Sequence, residues 1–269
     1  MTQTIFITGA STGLGRATAL LFAGRGWKVI ATMRHPEKES EFGAHAGVTL
    51  LPLDVTKPAQ IKEAAAKALA LGKVDVVFNN AGYGLAGAFE GATDEQLVDE
   101  INTNLLGVMR VTQAFLPALR EQKSGTILTT TSIGGLVAFP FNSVYHATKW
   151  GLEGWSESLA FEMEPFGVKV KTIAPGGIAT DFAGRSIVFT PHPAYAEAIT
   201  KTMTAFRTPN GGPSGSTAEQ IAEAVWEAVH DEADRITYVA GADAKANYAR
   251  RLEVGIDAFR AGVRKRFLG

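Results

Sequence analysis

Tyr145 and Lys149 stand four residues apart in the run Tyr145-His146-Ala147-Thr148-Lys149. The surrounding pattern predicts a helix over residues 143–164, where four residues make about one turn and both side chains share a face. Free tyrosine has a pKa of about 10, so only about 0.1% is phenolate at neutral pH and rapid proton exchange needs help. An adjacent ammonium favours the phenolate and is expected to lower that pKa. The same ammonium can donate to the ribose hydroxyls of a nicotinamide cofactor. Such a pair is also common on solvated helices, so its neighbours decide its meaning. Ser132 lies thirteen residues before Tyr145, just beyond a predicted strand, and ligands of open α/β sheets bind at the C-terminal ends of strands. Asn79-Asn80-Ala81-Gly82 follows another strand, and Asn104 sits in the next predicted helix.

A second group suits phosphate. Thr8-Gly9-Ala10-Ser11-Thr12-Gly13-Leu14-Gly15-Arg16 joins the first predicted strand to an apolar helix. Glycines let a backbone turn tightly and approach a pyrophosphate, and the helix start offers unpaired N–H groups with partial positive charge. Gly9, Ser11, Thr12, Gly13, Leu14 and Gly15 are therefore the candidate dinucleotide cradle, with a plain tight turn as the alternative. No Gly-Lys-Ser/Thr follows, which argues against nucleoside triphosphate hydrolysis. The second strand ends Ala31-Thr32-Met33-Arg34, with no carboxylate for the adenosine ribose and with Arg34 where a 2'-phosphate would lie. This favours NADP(H) over NAD(H), unless Arg34 is merely solvated. Asp54, in Leu53-Asp54-Val55 at the end of the third strand, can accept from the adenine amino group or cap a helix.

These groups need a scaffold. Short β-branched runs at residues 4–8, 28–33, 48–53, 74–78, 126–130, 168–173 and 236–239 alternate with 3.6-periodic segments. That alternation predicts a doubly wound α/β fold, a parallel sheet with helices on both faces. Thr93-Asp94-Glu95-Gln96 and Ser216-Thr217-Ala218-Glu219 read as capping boxes. No linker or repeat divides residues 1–269, which read as one Rossmann-type domain. Residues 182–215, broken by prolines and glycines around a weak helical pattern, read as a substrate lid or as an ordered surface excursion. Residues 243–269 read as an amphipathic helix, with Tyr248, Leu252, Ile256, Phe259, Val263 and Phe267 in one stripe among basic residues. It is expected to pack on the body or on a second subunit in preference to a membrane.

Composition narrows the partners. Of 269 residues, 46% are hydrophobic and 20% charged, ordinary values for a folded chain, and the net charge of -1 provides no field for nucleic acid or an anionic membrane. There are no cysteines, so disulfides and thiolate chemistry are excluded. The five histidines show no metal-ligand spacing, and no metal is expected. His146, about 100° around the helix from Tyr145, is expected to serve solvent or core. The uncharged run 124–148 carries ten Ser, Thr, Asn and His residues and Pro140, unlike a membrane span. The N-terminus reads as a strand and not as a signal peptide, so a cytoplasmic location is expected.

The ordered series Thr-Gly-x3-Gly-x-Gly, Asn-Asn-Ala-Gly, Asn104, Ser132, Tyr-x3-Lys and Pro-Gly resembles the short-chain dehydrogenase/reductase family over roughly residues 4–240. The resemblance implies a seven-stranded sheet of order 3-2-1-4-5-6-7. It also implies that Tyr145 exchanges the proton, that Ser132 holds the substrate oxygen, and that Lys149 tunes Tyr145 and binds ribose. Asn104 would join a water-linked path to Lys149. Asn80, Ala81 and Gly82 would contact ribose, with Asn79 more structural, while Pro175, Gly176, Ile178 and Thr180 would fix the nicotinamide amide. Phe139, Asn142, Phe182 and Phe189 are candidates for an apolar substrate wall or for packing. The stretches around Met33-Arg34 and from Ser132 to Tyr145 resemble hydroxysteroid and retinol-type carbonyl reductases. Together they imply hydride transfer between NADP(H) and a hydrophobic ketone, aldehyde or secondary alcohol in a homodimer or homotetramer. The alternatives are an alcohol dehydrogenase using NAD(P)+ in the cell and a cofactor-sensing protein without turnover.

Overall fold

Ile5 and Ile7 point to one side of the first strand and Phe6 to the other, and all three are buried, as in a strand covered by helices on both faces. The computed structural model describes residues 2–42, 45–178, 186–207 and 215–269. Its elements run β1 (Thr4–Thr8), α1 (Gly13–Gly24), β2 (Lys28–Met33), β3 (Val48–Pro52), α2 (Pro58–Ala70), β4 (Val76–Asn79) and β5 (Gly84–Gly87). They continue with α3 (Asp94–Ile101), α4 (Gly107–Gln122), β6 (Gly125–Thr130), α5 (Ser143–Met163), β7 (Val168–Pro175) and β8 (Ile187–Thr190). The last are α6 (Ala196–Arg207), α7 (Ala218–His230), β9 (Thr237–Ala240), α8 (Ala242–Val254) and α9 (Ile256–Phe267).

The main sheet is parallel, in the order β3-β2-β1-β4-β6-β7-β9. This is the expected 3-2-1-4-5-6-7 once β5 and β8 are set aside. On one face Ile5, Ile7, Val29 and Ala31 pack with Phe22 of α1 and Ile221 and Val225 of α7. On the other, Phe6, Ile30, Val77 and Ile127 pack with Ile61 of α2, Phe115 of α4 and Leu159 of α5.

Four local features refine or correct the expectations. Residues 84–87 and 187–190 form a separate two-stranded parallel sheet, so this part of the 182–215 segment is tied to the body by backbone, as the ordered surface excursion allows. Gly87, at φ 128, permits this: a Cβ there would stand 2.4 Å from the Thr190 carbonyl oxygen. Secondly, the capping box of α7 pairs Thr217 with Gln220, one residue later than expected, because Ser216 instead donates its N–H to Gly177 O. Thirdly, Gly255 (φ 78) divides the C-terminal segment into two helices. The expected stripe is split with them, for Phe259 and Phe267 are buried whereas Leu252 and Ile256 are 67% and 61% exposed. Finally, Met33 is a core residue, 4% exposed, and does not stand open to the adenosine side. Among the described residues no helix is long and apolar enough to cross a membrane.

Candidate active site

The glycine turn after β1 meets the loop after β4. A Cβ on Gly9 would lie 2.8 Å from Ala81 Cα, and one on Gly15 would lie 2.3 Å from Gly9 O. Thr8 Oγ1 accepts the N–H groups of Asn80 and Ala81 at 2.9 and 3.0 Å, and Asn80 Nδ2 donates to Thr8 O and Gly9 O at 3.1 and 3.2 Å. The Asn80 side chain thus braces the turn. At the start of α1, Thr12 makes no side-chain cap bond and the first turn carries no acid. Its N–H groups and partial positive charge suit a dinucleotide pyrophosphate. A cleft of about 330 Å³ follows, lined by Ser11, Thr12, Gly13, Arg16, Lys38, Glu39, Ser40 and Glu41. Its charged wall carries no local signal in the sequence, since Arg16 pairs with Glu39 at 2.8 Å and with Glu41, both distant along the chain.

Arg34 is exposed. It acts electrostatically on Asp54, where burial works to raise the carboxyl but hydrogen bonds from Thr56, helped by Lys57 and Arg34, hold it below its usual value. Asp54 Oδ1 accepts the Thr56 N–H and hydroxyl at 2.9 and 2.7 Å. The N-cap of α2 is Lys57, so Asp54 is not the helix cap. Val55 is buried against the start of α4, where a Cβ on Gly107 would lie 3.1 Å from its Cγ2.

At the other end of the cleft, α5 is moored to the sheet by Glu153. Its carboxylate accepts hydroxyl bonds from Thr131 at 2.5 Å, Thr172 at 3.0 Å and Thr237 at 3.0 Å. One turn earlier Lys149 Nζ donates to Thr130 O at 2.8 Å and lies 5.7 Å from the Tyr145 ring centre. Burial lowers the lysine to about 8, although Glu100 and Glu153 oppose it. Burial also pushes the Tyr145 phenol up to about 12, against the pull of its hydrogen bond with Ser132. The expected lowering by Lys149 is therefore corrected for the protein alone: burial works against the charged form of both groups and is the largest cause of each shift.

Asn104 is buried in a π-helical turn, Asn102–Leu106, whose extra residue lets Gly107 N–H reach Asn102 O. Its amide brackets Tyr83, accepting from Tyr83 N–H at 3.0 Å and donating to Tyr83 O at 2.7 Å. Asn104 Oδ1 and Lys149 Nζ lie 3.0 and 3.8 Å from where a Cβ on Gly82 would stand. Asn79 is structural in this arrangement, donating to Thr112 Oγ1 at 2.9 Å.

Behind Ser132 the loop is held by His146, the neighbour of Tyr145. Its Nδ1 bonds to Gly134 O at 2.5 Å and its Nε2 accepts Phe139 N–H at 3.0 Å. This pair of bonds requires the neutral ring with its proton on Nδ1. Burial depresses the imidazole below 6.5. A folded-state pKa below the unfolded one contributes stability above the unfolded value that is lost as pH falls through the folded one. Wild-type stability in denaturant titrations is thus expected to fall below about pH 6.5. His146→Leu should flatten that slope and cost about 2 kcal/mol at pH 8 by leaving the buried Gly134 carbonyl and the half-buried Phe139 N–H without their partner; an unchanged slope would remove His146 from this role.

Where the nicotinamide amide was expected, Pro175 ends β7, Gly176 N–H donates to Ala240 O, and Gly177 N–H donates to Asp243 Oδ2 at 2.8 Å. Ile178 bridges to Ser216. Thr180 and Phe182 lie outside the described residues. Among the candidate wall residues, Phe139 packs against Phe206 and Phe267, Asn142 donates to Pro140 O at 2.7 Å, and Phe189 is 43% exposed on β8. The structure brings Ser132, Tyr145, Lys149 and Asn104 together, and it gives Phe139 and Asn142 packing roles.

Residues 3–187 match the sequence profile of short chain dehydrogenases. Human retinol dehydrogenase 8 is 33% identical over 216 residues, covering 76% of this chain and 68% of the relative. A short-chain dehydrogenase from Streptomyces avermitilis is similar at a TM-score of 0.85 with 35% identity, covering 98% of this chain and 96% of that one. Another, from Burkholderia cenocepacia in complex with NADP, has a TM-score of 0.77 and 26% identity, covering 100% of this chain and 98% of its own. The profile covers more than half of the chain and the parallel sheet is shared with these solved relatives, so the chain belongs to the short-chain dehydrogenase family of oxidoreductases.

Proposed function

We propose that this protein reduces a hydrophobic ketone or aldehyde with NADPH, and oxidises the corresponding alcohol in reverse. The observation that carries the reading is geometric: the Lys149 ammonium donates to Thr130 O and lies 5.7 Å from the Tyr145 ring centre, one turn along α5 and beside Ser132 at the carboxyl edge of the sheet. A phenol held at about 12 remains a proton donor throughout the neutral range. Ser132 receives the substrate oxygen, Tyr145 passes its proton to that oxygen, and the Lys149 ammonium stabilises the charge left on the phenol. NADPH, when bound, supplies the hydride. Gly9, Ser11, Thr12, Gly13, Leu14 and Gly15 would hold its pyrophosphate, Asn80, Ala81, Gly82 and Lys149 its ribose, and Pro175, Gly176, Ile178 and Thr180 its amide. The apolar substrate class is supported by Phe189, which is 43% exposed on β8, and by the name of the retinol dehydrogenase relative.

NADP(H) is supported by Arg34, exposed and without an ion pair among the described residues, and by the NADP-bound relative. The test is a panel of ketones and long-chain aldehydes followed by NADPH absorbance, with NADH in parallel. Arg34→Ala should lower the NADPH-to-NADH ratio of kcat/KM at least about ten-fold, the loss of one charged hydrogen bond of about 1.5 to 3 kcal/mol. Met33→Asp is unsuitable, because it would bury a charge in the core. Equal use of both cofactors, unmoved by Arg34→Ala, would assign Arg34 to solvent. Tight NADPH binding with no turnover across the panel would favour a cofactor sensor.

A further inference from the structure

Glu100, in the last turn of α3, is fully buried at 0% exposure. Its Oε1 accepts Leu85 N–H of β5 at 2.8 Å and lies 3.5 Å from Asn104 Nδ2, across the π-helical turn. The same Asn104 nitrogen is 3.4 Å from Thr148 Oγ1, which donates to Tyr145 O at 2.8 Å. Its Oε2 is buried without a hydrogen-bond partner among the described residues. Holding Leu85 N–H needs only a neutral acceptor, so a buried carboxyl with an unused oxygen calls for another reason. Lys149 supplies one. Its ammonium donates to Thr130 O and has no carboxylate within ion-pair distance among the described residues. The other acid acting on it, Glu153, already receives three hydroxyl bonds.

We propose that Glu100 is a positioning residue for proton transfer, a buried negative charge that orients Asn104 and holds Lys149 in its ammonium form beside Tyr145. The proposal rests on the proton-transfer roles given above to Tyr145 and Lys149. The titratable groups on which Glu100 acts are Lys149 and Tyr145 from α5 and Tyr83 from the segment before β5, and Asp99, its neighbour on α3, acts on Tyr83 as well. The Glu100 carboxylate works to keep Lys149 charged against burial and also raises Tyr145 and Tyr83. Burial raises Glu100 itself to about 7, so the charge is present on the alkaline side of neutrality. Removing it lets both Lys149 and Tyr145 lose their protons at lower pH. Carbonyl reduction needs the phenol and the ammonium, so its alkaline limb must move down.

Glu100→Gln keeps the size of the side chain and an acceptor for Leu85 N–H while deleting the charge. Its kcat/KM for reduction should lose its alkaline limb about one pH unit earlier than wild type, with NADPH affinity unchanged and no loss of Tm, since burial disfavours the charge that is deleted. Glu100→Asp keeps a charge but shortens the reach to Leu85, and should return the limb toward the wild-type position even if it melts earlier. A wild-type profile in Glu100→Gln, or the same displaced limb in Glu100→Asp, would overturn the proposal and leave Glu100 as an anchor for β5. Tyr145→Phe assayed in parallel separates the two readings. Full activity there refutes the proton donor itself, whereas an inactive Tyr145→Phe with an unmoved Glu100→Gln profile refutes Glu100 alone.

Discussion

Tyr145→Phe is expected to lower kcat/KM for carbonyl reduction by about 10³-fold, within the range of a general acid's contribution, while NADPH binds as before. The substitution removes one oxygen from a half-buried ring and leaves the helix that carries it intact. Ser132 keeps its bond from Gly134 N–H at 3.0 Å, and Lys149 keeps its bond to Thr130 O. The site therefore retains its shape and loses only the transferable proton and the hydroxyl that shares a hydrogen bond with Ser132. Steady-state rates beside a fluorescence titration of NADPH separate the two effects. A variant with near-wild-type turnover would overturn the assignment of the proton donor, and one that fails to bind NADPH would show the hydroxyl to be structural.

Phe267→Ala carries the second large effect, on stability. Phe267 is 2% exposed near the end of α9, with its ring 4.7 Å from Phe206 of α6 and 5.7 Å from Phe139. Phe139 in turn is bound through its N–H to His146. Truncating a buried phenylalanine costs about 3 to 5 kcal/mol, which for a chain of this size lowers Tm by about 6 °C or more. The same change frees α6 and Phe139 from their common partner, so KM for an apolar carbonyl should rise together with the fall in Tm. Thermal melts and substrate titrations check both. If Tm is unchanged while liposome binding is lost, the C-terminal aromatic side chains serve a membrane and not the body.

Much of this arrangement is a local property of the sequence. The apolar runs of the seven main-sheet strands, the glycines between β1 and α1, and the four-residue step from Tyr145 to Lys149 each lie within one element, where the backbone's own period decides which side chains meet. Their order along the chain, with the rule that parallel crossovers are right-handed, leaves little freedom in the sheet. Other features required the packed molecule. The π-helical turn at Asn104 has no signature in the apolar periodicity, because its extra residue is accommodated where Val55 and Tyr83, from separate segments, pack against Gly107 and Asn104. The pairing of β5 with β8 joins backbones about a hundred residues apart in sequence, and Gly87 becomes meaningful only once Thr190 is against it. Met33 differs from an exposed strand-end residue by where its neighbours lie, and His146 acquires its role from the loop folded onto it. The ionisation of Tyr145, Lys149 and Glu100 is the clearest case. The spacing places a phenol beside an ammonium, but burial is a sum over the whole surrounding structure, and here it is the largest influence on both groups, with Glu100 acting on each of them.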